Sequence, residues 1–423
     1  MDKIKCWPKQ PVTRLGRFAR MSRPGPVLLF CSALAGDGVA RNTIHLANAL
    51  ARRDVPVEIV CLKGGALAAE LLPGPTVTVL GCARGPRGLA LAAAWLSMRR
   101  RLKASGATVA ISMGNHMHLT LWAALRGLPD LPRIYRVSND AAHAGRDMLR
   151  RAIRELRLRL VAADATRLVC VSRHLAGASA FRRARRDRRL DILANGVDAE
   201  MVRARAAEPA QHPWIAEGAP YLVAVGRLHR QKNYEALIDA LSHLRASGHP
   251  DLRLLVLGAA PPKRQAVLTA RARALGVSAG VCFEGEVANP FPFVAGAAAY
   301  VLPSLWEGAS NSLLEALACG VPVVASRTAG NAADVLGEGA FGALADPNDA
   351  ADLARAIAVQ LDPKTRIAPR DRARAFGLEG VAARLSAIVL SARCEHDGNQ
   401  MSSEPSSHLN PVSPSMQGPK TEY

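Results

Sequence analysis

The chain has 423 residues, 49% apolar and only 4% aromatic, and its 55 Lys and Arg outweigh 35 Asp and Glu to leave a net charge of +20. The longest apolar stretches, such as Gly88–Met98, fall short of the ~20 residues of a spanning helix, and eight scattered cysteines without a C-x-x-C pair argue against a zinc site or a disulfide framework. The positive excess asks for an anionic partner, whether nucleic acid, phosphorylated substrate or acidic membrane, although an Arg-rich genomic bias produces the same excess.

Residues Met1–Gly25 are basic and contain prolines but no apolar core, so they read as a flexible leader and not a signal peptide, with Met21 as an alternative start. The cytoplasm is the expected compartment. From residue 26 to 205, short apolar runs alternate with helical stretches. Val27–Ala33, Val55–Leu62, Thr76–Leu80, Thr108–Ser112, Arg133–Val137, Arg167–Val171 and Leu190–Ala194 read as parallel strands covered on both faces. Val39–Arg53 and Leu89–Lys103 have helical patterning.

A polar, Pro-containing linker is expected over 206–220. The alternation then resumes over 221–365. Strands are expected at Tyr221–Val225, Leu252–Leu257, Val281–Glu284, Ala299–Leu302 and Val321–Ala325. Helices are expected at Tyr234–Ser247, Lys263–Leu275, Ser312–Cys319 and Ala350–Leu361. Two βα series of this size predict two doubly wound, Rossmann-like domains facing across a cleft. A helical stretch at Arg370–Leu390, within 366–393, is free to pack back on the first domain. Residues 394–423 are rich in Ser and Pro and poor in aliphatics, which predicts a disordered tail. That tail carries more acid than base, so the positive excess belongs to the rest of the chain.

The chemistry concentrates in Pro303–Ser326, PSLWEGASNSLLEALACGVPVVAS. A strand ends at Pro303, and a loop with Glu307, Gly308, Ser310 and Asn311 follows. Ser312 and Glu315 have capping-box spacing, which predicts a helix start near Ser312. Its free N–H groups and dipole make an anion site at the carboxyl end of the sheet. Glu315 could simply cap this helix. Glu307, beside Gly308 at a strand end, has no such structural task. In the same half, Val225–Asn233, VGRLHRQKN, places Gly226, Arg227 and Lys232 at a βα turn. A guanidinium fork and an ammonium point charge suit a diphosphate, and a solvated basic loop would look the same.

Taken together, VGRLHRQKN, then S-x-x-E-G, then N-x-x-x-E-A-x-A-x-G-x-P-V-V-A resemble the family 4 retaining glycosyltransferases of GT-B fold. RLVCVS at 167–172, LANGVD at 193–198, the Gly36–Gly38 loop and GEVANP at 285–290 extend the resemblance over about residues 26–390. EGASNSLLEA is similar to a subgroup that builds bacterial surface glycans. The resemblance implies that Arg227 and Lys232 hold the donor diphosphate and stabilise the leaving nucleotide. It also implies that Glu315 binds the ribose and Glu307 the donor sugar, in a front-face reaction assisted by the leaving phosphate. Gly226 and the Gly308, Ser310 and Asn311 segment would line the donor, with Gly38 letting its loop come close.

The family's histidine after the fourth strand has two candidates in ISMGNHMHL. His116 is the favoured catalytic one, and His118 is either the alternative, on the acceptor side, or structural. Ser138 and Asn139, with Asp140, end the next strand and line the acceptor side or simply form a polar turn. No D-x-D occurs, which agrees with a metal-independent reaction and no cofactor beyond the nucleotide-sugar substrate. The expected function is sugar transfer, with a UDP-sugar as donor, to a glycan or lipid-linked acceptor in surface polysaccharide or lipopolysaccharide synthesis. An epimerase or hydrolase on the same fold is the alternative.

A dinucleotide oxidoreductase fits poorly. Gly36-Asp37-Gly38 is followed by Arg41 where a third glycine belongs, and no acid ends the second strand. A nucleic-acid binder lacks an aromatic-interleaved basic stripe. The remaining charge gathers at Arg146–Leu160, a basic amphipathic helix, and at FRRARRDRRL, with six Arg over 181–190. Its Leu149, Ile153, Leu156 and Leu160 stripe either faces the core or, with the arginines, meets an anionic membrane surface.

Overall fold

A computed structural model describes residues 25–403, apart from 37, 82–86, 129–130, 140–147 and 368–369. The expected leader, Asp37, Asp140 and the tail beyond Ser403 lie outside the described residues. The first sheet contains β1 (Val27–Ala33), β2 (Val57–Lys63), β3 (Thr76–Val79), β4 (Val109–Ser112), β5 (Arg133–Val137), β6 (Arg167–Cys170) and β7 (Leu190–Ile192). Its strands are all parallel, in the order β3-β2-β1-β4-β5-β6-β7. The second sheet contains β8 (Tyr221–Val225), β9 (Arg253–Leu257), β10 (Val281–Gly285), β11 (Ala299–Leu302), β12 (Val323–Ser326) and β13 (Ala343–Ala345). It is also parallel, in the order β10-β9-β8-β11-β12-β13.

Chemistry explains the layering. Strands such as β1, VLLFCSA, are apolar at both parities and need helices on both faces. The Gly38–Ala51 helix covers one face of the first sheet through Ile44, Ala47 and Leu50. Met98, Leu121 and Val161, from three other helices, cover the opposite face. In each sheet the strand order reverses, at β1/β4 and at β8/β11. Such reversals open a crevice at the carboxyl ends of the strands.

Differences from expectation have local causes. The three-residue edge strand β13 is too short to leave a sequence pattern. The expected Arg370–Leu390 helix breaks at Gly377. Its first part, Arg370–Phe376, is a 3-10 turn packed on the second lobe through Ala373 and Phe376. The second part, Leu378–Ser403, crosses back to pack Val381, Leu385 and Ile388 on the first sheet. This helix runs past Cys394, into the segment expected to be disordered. Arg167 holds Glu395 there at 2.8 Å while also bridging Asp191. At the crossing, Val197 N–H donates to the Phe376 carbonyl, so the two connections between lobes run side by side.

Candidate functional site

The site grows from the loop after β11. Ser304 is fully buried and Glu307 nearly so. Lys232 Nζ donates to Glu307 Oε1 at 2.6 Å, Ser304 Oγ donates to the same oxygen at 2.9 Å, and Gln231 Nε2 reaches Oε2 at 3.2 Å. Three donors on one carboxylate fix its direction. Ser304 belongs to the same loop, and Gln231 and Lys232 come from the β8 turn. There Arg230–Lys232 form a 3-10 turn capped by His229, and Asn233 turns left-handed (φ 55°) to start the next helix. Gly226 sits at φ +151°, where a Cβ would lie 2.8 Å from Lys232 Cε. Only glycine leaves room for the lysine stem. Arg227 is exposed at the crevice and makes no ion pair among the described residues.

The helix after this loop starts at Asn311, one residue earlier than expected, because Ser310 and not Ser312 is its cap. Ser310 Oγ accepts from Leu313 N–H at 3.3 Å, while Ser312 Oγ accepts from the Tyr300 hydroxyl. Glu315 is therefore no capping-box partner. Its carboxylate faces Arg41 of the first lobe, 3.8 Å away. Burial pushes its pKa up, and Arg41 and Arg205 pull it part of the way back.

Both lobes meet at this loop. A Cβ on Gly308 would fall 2.0 Å from the Ser138 carbonyl oxygen and 2.8 Å from Asn139 Cα, so backbone touches backbone there. Asn115 holds this strand end: its Oδ1 accepts from Ser138 N–H, and its Nδ2 donates to the Asn139 carbonyl. Gly38 lies beside Asn311, whose Nδ2 would be 3.6 Å from a Cβ there. The Asn311 side chain itself is turned to the first lobe, where Oδ1 accepts from Asn42 Nδ2 and Asn195 Nδ2.

The two histidines separate. His116 is exposed. His118 is buried among core residues, its Nδ1 is 2.6 Å from Ser112 Oγ, and its ring packs edge-on to Tyr135. Burial and the neighbouring His116 depress its pKa to about 3, so it stays neutral. The acceptor-side role expected of His118 is thereby replaced by a core position. Arg41, Asn42, Arg136 and Asn195 are the site neighbours that motif reading missed. One signal was present: an arginine inside the apolar strand RIYRV.

His212, Cys282 and Glu284 place ligand-type atoms within 4.8 Å of one another. However, His212 Nδ1 accepts from Trp214 N–H, which leaves the ring proton on Nε2 facing Glu284 and no lone pair for a metal there. On the outer surface, the Met148–Asp164 helix turns its apolar stripe outward. Leu149 is 68% exposed and Leu156 58%, with Ile153 and Leu160 also exposed. The stripe is not a core face. Among the described residues, no helix is long and apolar enough to cross a membrane.

Two parallel doubly wound lobes, meeting at the carboxyl ends of their strands, define the GT-B fold. Solved structures share it. Anabaena Alr3699/HepE in complex with UDP and glucose superposes with a TM-score of 0.68 at 20% identity, covering 87% of this chain and 100% of that one. WaaG, a glycosyltransferase involved in lipopolysaccharide biosynthesis, gives 0.63 at 18% identity, covering 86% and 99%. Residues 36–201 match the model of Glycosyltransferase Family 4, and residues 219–362 match that of Glycosyl transferases group 1. The chain belongs to this glycosyltransferase family. Over 188 residues it is 30% identical to the N-acetylgalactosamine-N,N'-diacetylbacillosaminyl-diphospho-undecaprenol 4-alpha-N-acetylgalactosaminyltransferase of Campylobacter jejuni, covering 44% of this chain and 48% of that one. Over 139 residues it is 34% identical to the lipopolysaccharide core biosynthesis glycosyltransferase LpsE of Rhizobium meliloti, covering 33% and 38%. The chain thus spans about half the length, or less, of these curated relatives.

Proposed function

We propose that the protein is a retaining glycosyltransferase that moves a sugar from a UDP-sugar to a lipid-linked or glycan acceptor in bacterial surface polysaccharide or lipopolysaccharide synthesis. The observation that carries this is the Lys232–Glu307 pair, set beside the N-terminus of the Asn311–Cys319 helix with Glu315 one turn further on. UDP in the HepE complex supports the choice of donor. The undecaprenol-linked and lipopolysaccharide substrates in the relatives' names support the choice of acceptor.

In this reading the donor diphosphate lies between Arg227 and Lys232. Lys232 releases part of its hold on Glu307 and neutralises charge as the nucleotide departs. Glu307 turns to the sugar hydroxyls, Glu315 takes the ribose, and His116 lies on the reacting side. Preorganised cations and helix N–H groups are the main source of rate, and the leaving phosphate accepts the acceptor's proton on the same face. The first lobe assigns to the acceptor and the second to the donor, with the boundary at Gly196 and not at the expected 206–220 linker, because Val197 and Val202 are buried in the second lobe's core. Thermal shift with UDP-, GDP- and ADP-sugars tests the donor, with stabilisation by the UDP series expected. Arg227→Ala and Lys232→Ala should each slow transfer by about 100-fold, the scale of a lost charge-stabilising group. Unchanged rates in both would overturn the assignment.

The Met148–Asp164 helix gives the proposal its location, peripheral at the inner face of the membrane. Beside its exposed stripe lies a groove of about 670 Å³ lined by Arg159, Arg182, Arg183 and Arg186. Apolar side chains beside arginines suit a bilayer bearing anionic headgroups.

A further inference from the structure

Arg136 is among the largest fully buried side chains of the protein, and it has no carboxylate partner among the described residues. Its Nε and NH1 have no hydrogen-bond partner among the described residues. Burial lowers its pKa to about 10, still well above neutral, so it remains charged. An apolar residue would suit this strand better, since a buried charge left unpaired is destabilising. Among the described residues its one side-chain hydrogen bond goes to a residue that in turn reaches across the cleft. Arg136 NH2 donates to Asn195 Oδ1 at 2.5 Å. Asn195 Nδ2 donates in turn to Asn311 Oδ1 at 2.6 Å and lies 3.3 Å from the Ala309 carbonyl. Asn42, which also holds the Gly38 carbonyl, donates to the same Asn311 oxygen at 3.2 Å.

The direction of this chain of bonds is forced. A guanidinium only donates, so Asn195 must turn its carbonyl oxygen to Arg136 and its NH2 to Asn311. Without Arg136 the amide is free to flip, which would set two carbonyl oxygens against each other. Asn311 is the first residue of the site helix, midway between Glu307 and Glu315 in the sequence. Two first-lobe side chains, Asn195 from the loop after β7 and Asn42 from the Gly38–Ala51 helix, thus converge on one oxygen of the second lobe, with Arg136 of β5 behind Asn195.

We propose that Asn42, Asn195 and Asn311 form a clasp that holds the lobes closed, and that Arg136 is a positioning residue that sets it through Asn195. Closure does not depend on which sugar is moved; its kinetic consequence rests on the transferase reading. Asn195 adjoins Gly196, where the chain crosses between lobes. A Cβ on Gly196 would come within 2.6 Å of Leu378, so the clasp acts beside the tightly packed hinge.

Small-angle scattering of the full chain, with and without UDP, reads closure directly. Asn311→Ala and Arg136→Met should shift the radius of gyration upward, and Arg136→Lys, which retains a donor, should restore the compact value. In a transfer assay Arg136→Met should lower kcat about tenfold, the scale of one lost hydrogen bond to a charged group, with donor KM unchanged and Arg136→Lys rescuing the rate. Should Arg136→Met fail to fold, Asn311→Ala, on a half-buried position, decides the question alone. Scattering from Asn311→Ala identical to the wild type, with and without UDP, would overturn the clasp. A chain that moves no sugar but shows these scattering shifts would overturn the transferase reading and leave the clasp standing.

Discussion

His118 and Glu315 show how one side chain's surroundings decide its chemistry. The buried imidazole of His118 has its pKa lowered from 6.5 to about 3, so the unfolded chain takes up a proton at higher pH than the native one. Stability is therefore full above 6.5 and lost as pH falls from there toward 3. The slope is about 1.4 kcal/mol per pH unit at most. Urea midpoints measured between about pH 7 and pH 5 should drop for the wild type and drop less for His118→Gln. Equal drops would remove His118 as the cause. Glu315 has the opposite sign. Its native pKa is raised from 4.5, so the native state binds the proton more tightly, and stability falls as pH rises past the ordinary glutamate range. Glu315→Gln should raise the melting temperature at neutral pH, with the gain vanishing below 4.5, while weakening UDP binding measured by calorimetry. A variant that is both less stable at neutral pH and binds UDP normally would contradict the assigned strain and role.

At the scale of elements, the loop between β11 and its following helix does two tasks in few residues. Glu307 is tied to the second lobe's β8 turn through Lys232 and Gln231, and to its own loop through Ser304. Gly308, the next residue, lies against the first lobe at Ser138. Gly308→Ala must push the lobes apart, because the atom it meets is backbone and has no rotamer to yield. We expect this variant to keep its melting temperature within a few degrees and to retain UDP binding, yet to lose most transfer activity. Normal turnover would show that the observed contact is not needed for the reaction. Most elements were legible because parallel strands buried on both faces leave apolar runs: β1, β5, β8 and β11 match their expected limits. The Ser310 cap was misread because Ser310 and Ser312 both offer a hydroxyl at the helix start, and only the Tyr300 hydroxyl takes Ser312 out of the competition.

For the whole molecule, the proposed membrane location rests on the surface helix Met148–Asp164 and its exposed apolar stripe. Each Lys or Arg near an anionic surface contributes ~1 kcal/mol, and the outward leucines add buried apolar area. Vesicles containing anionic phospholipid should therefore sediment the protein, with binding weakened by salt and by Leu149→Ser with Leu156→Ser. Equal binding to neutral vesicles would remove this surface from the proposal.

The sequence by itself determined the fold and singled out the residues proposed to hold the donor. Strand patterning and the spacing of Arg227, Lys232, Glu307 and Glu315 are local, and each motif lies within one βα unit. The tertiary structure decided what depends on contacts between distant segments: that His118 is interior and His116 exposed, that the basic helix faces outward, and that Asn311 is held by the first lobe. Arg136, Asn195 and Asn311 are separated in sequence by 59 and 116 residues. No local pattern links them, and only the meeting of the two lobes at the carboxyl ends of their strands brings a buried arginine to bear on the Asn311–Cys319 helix.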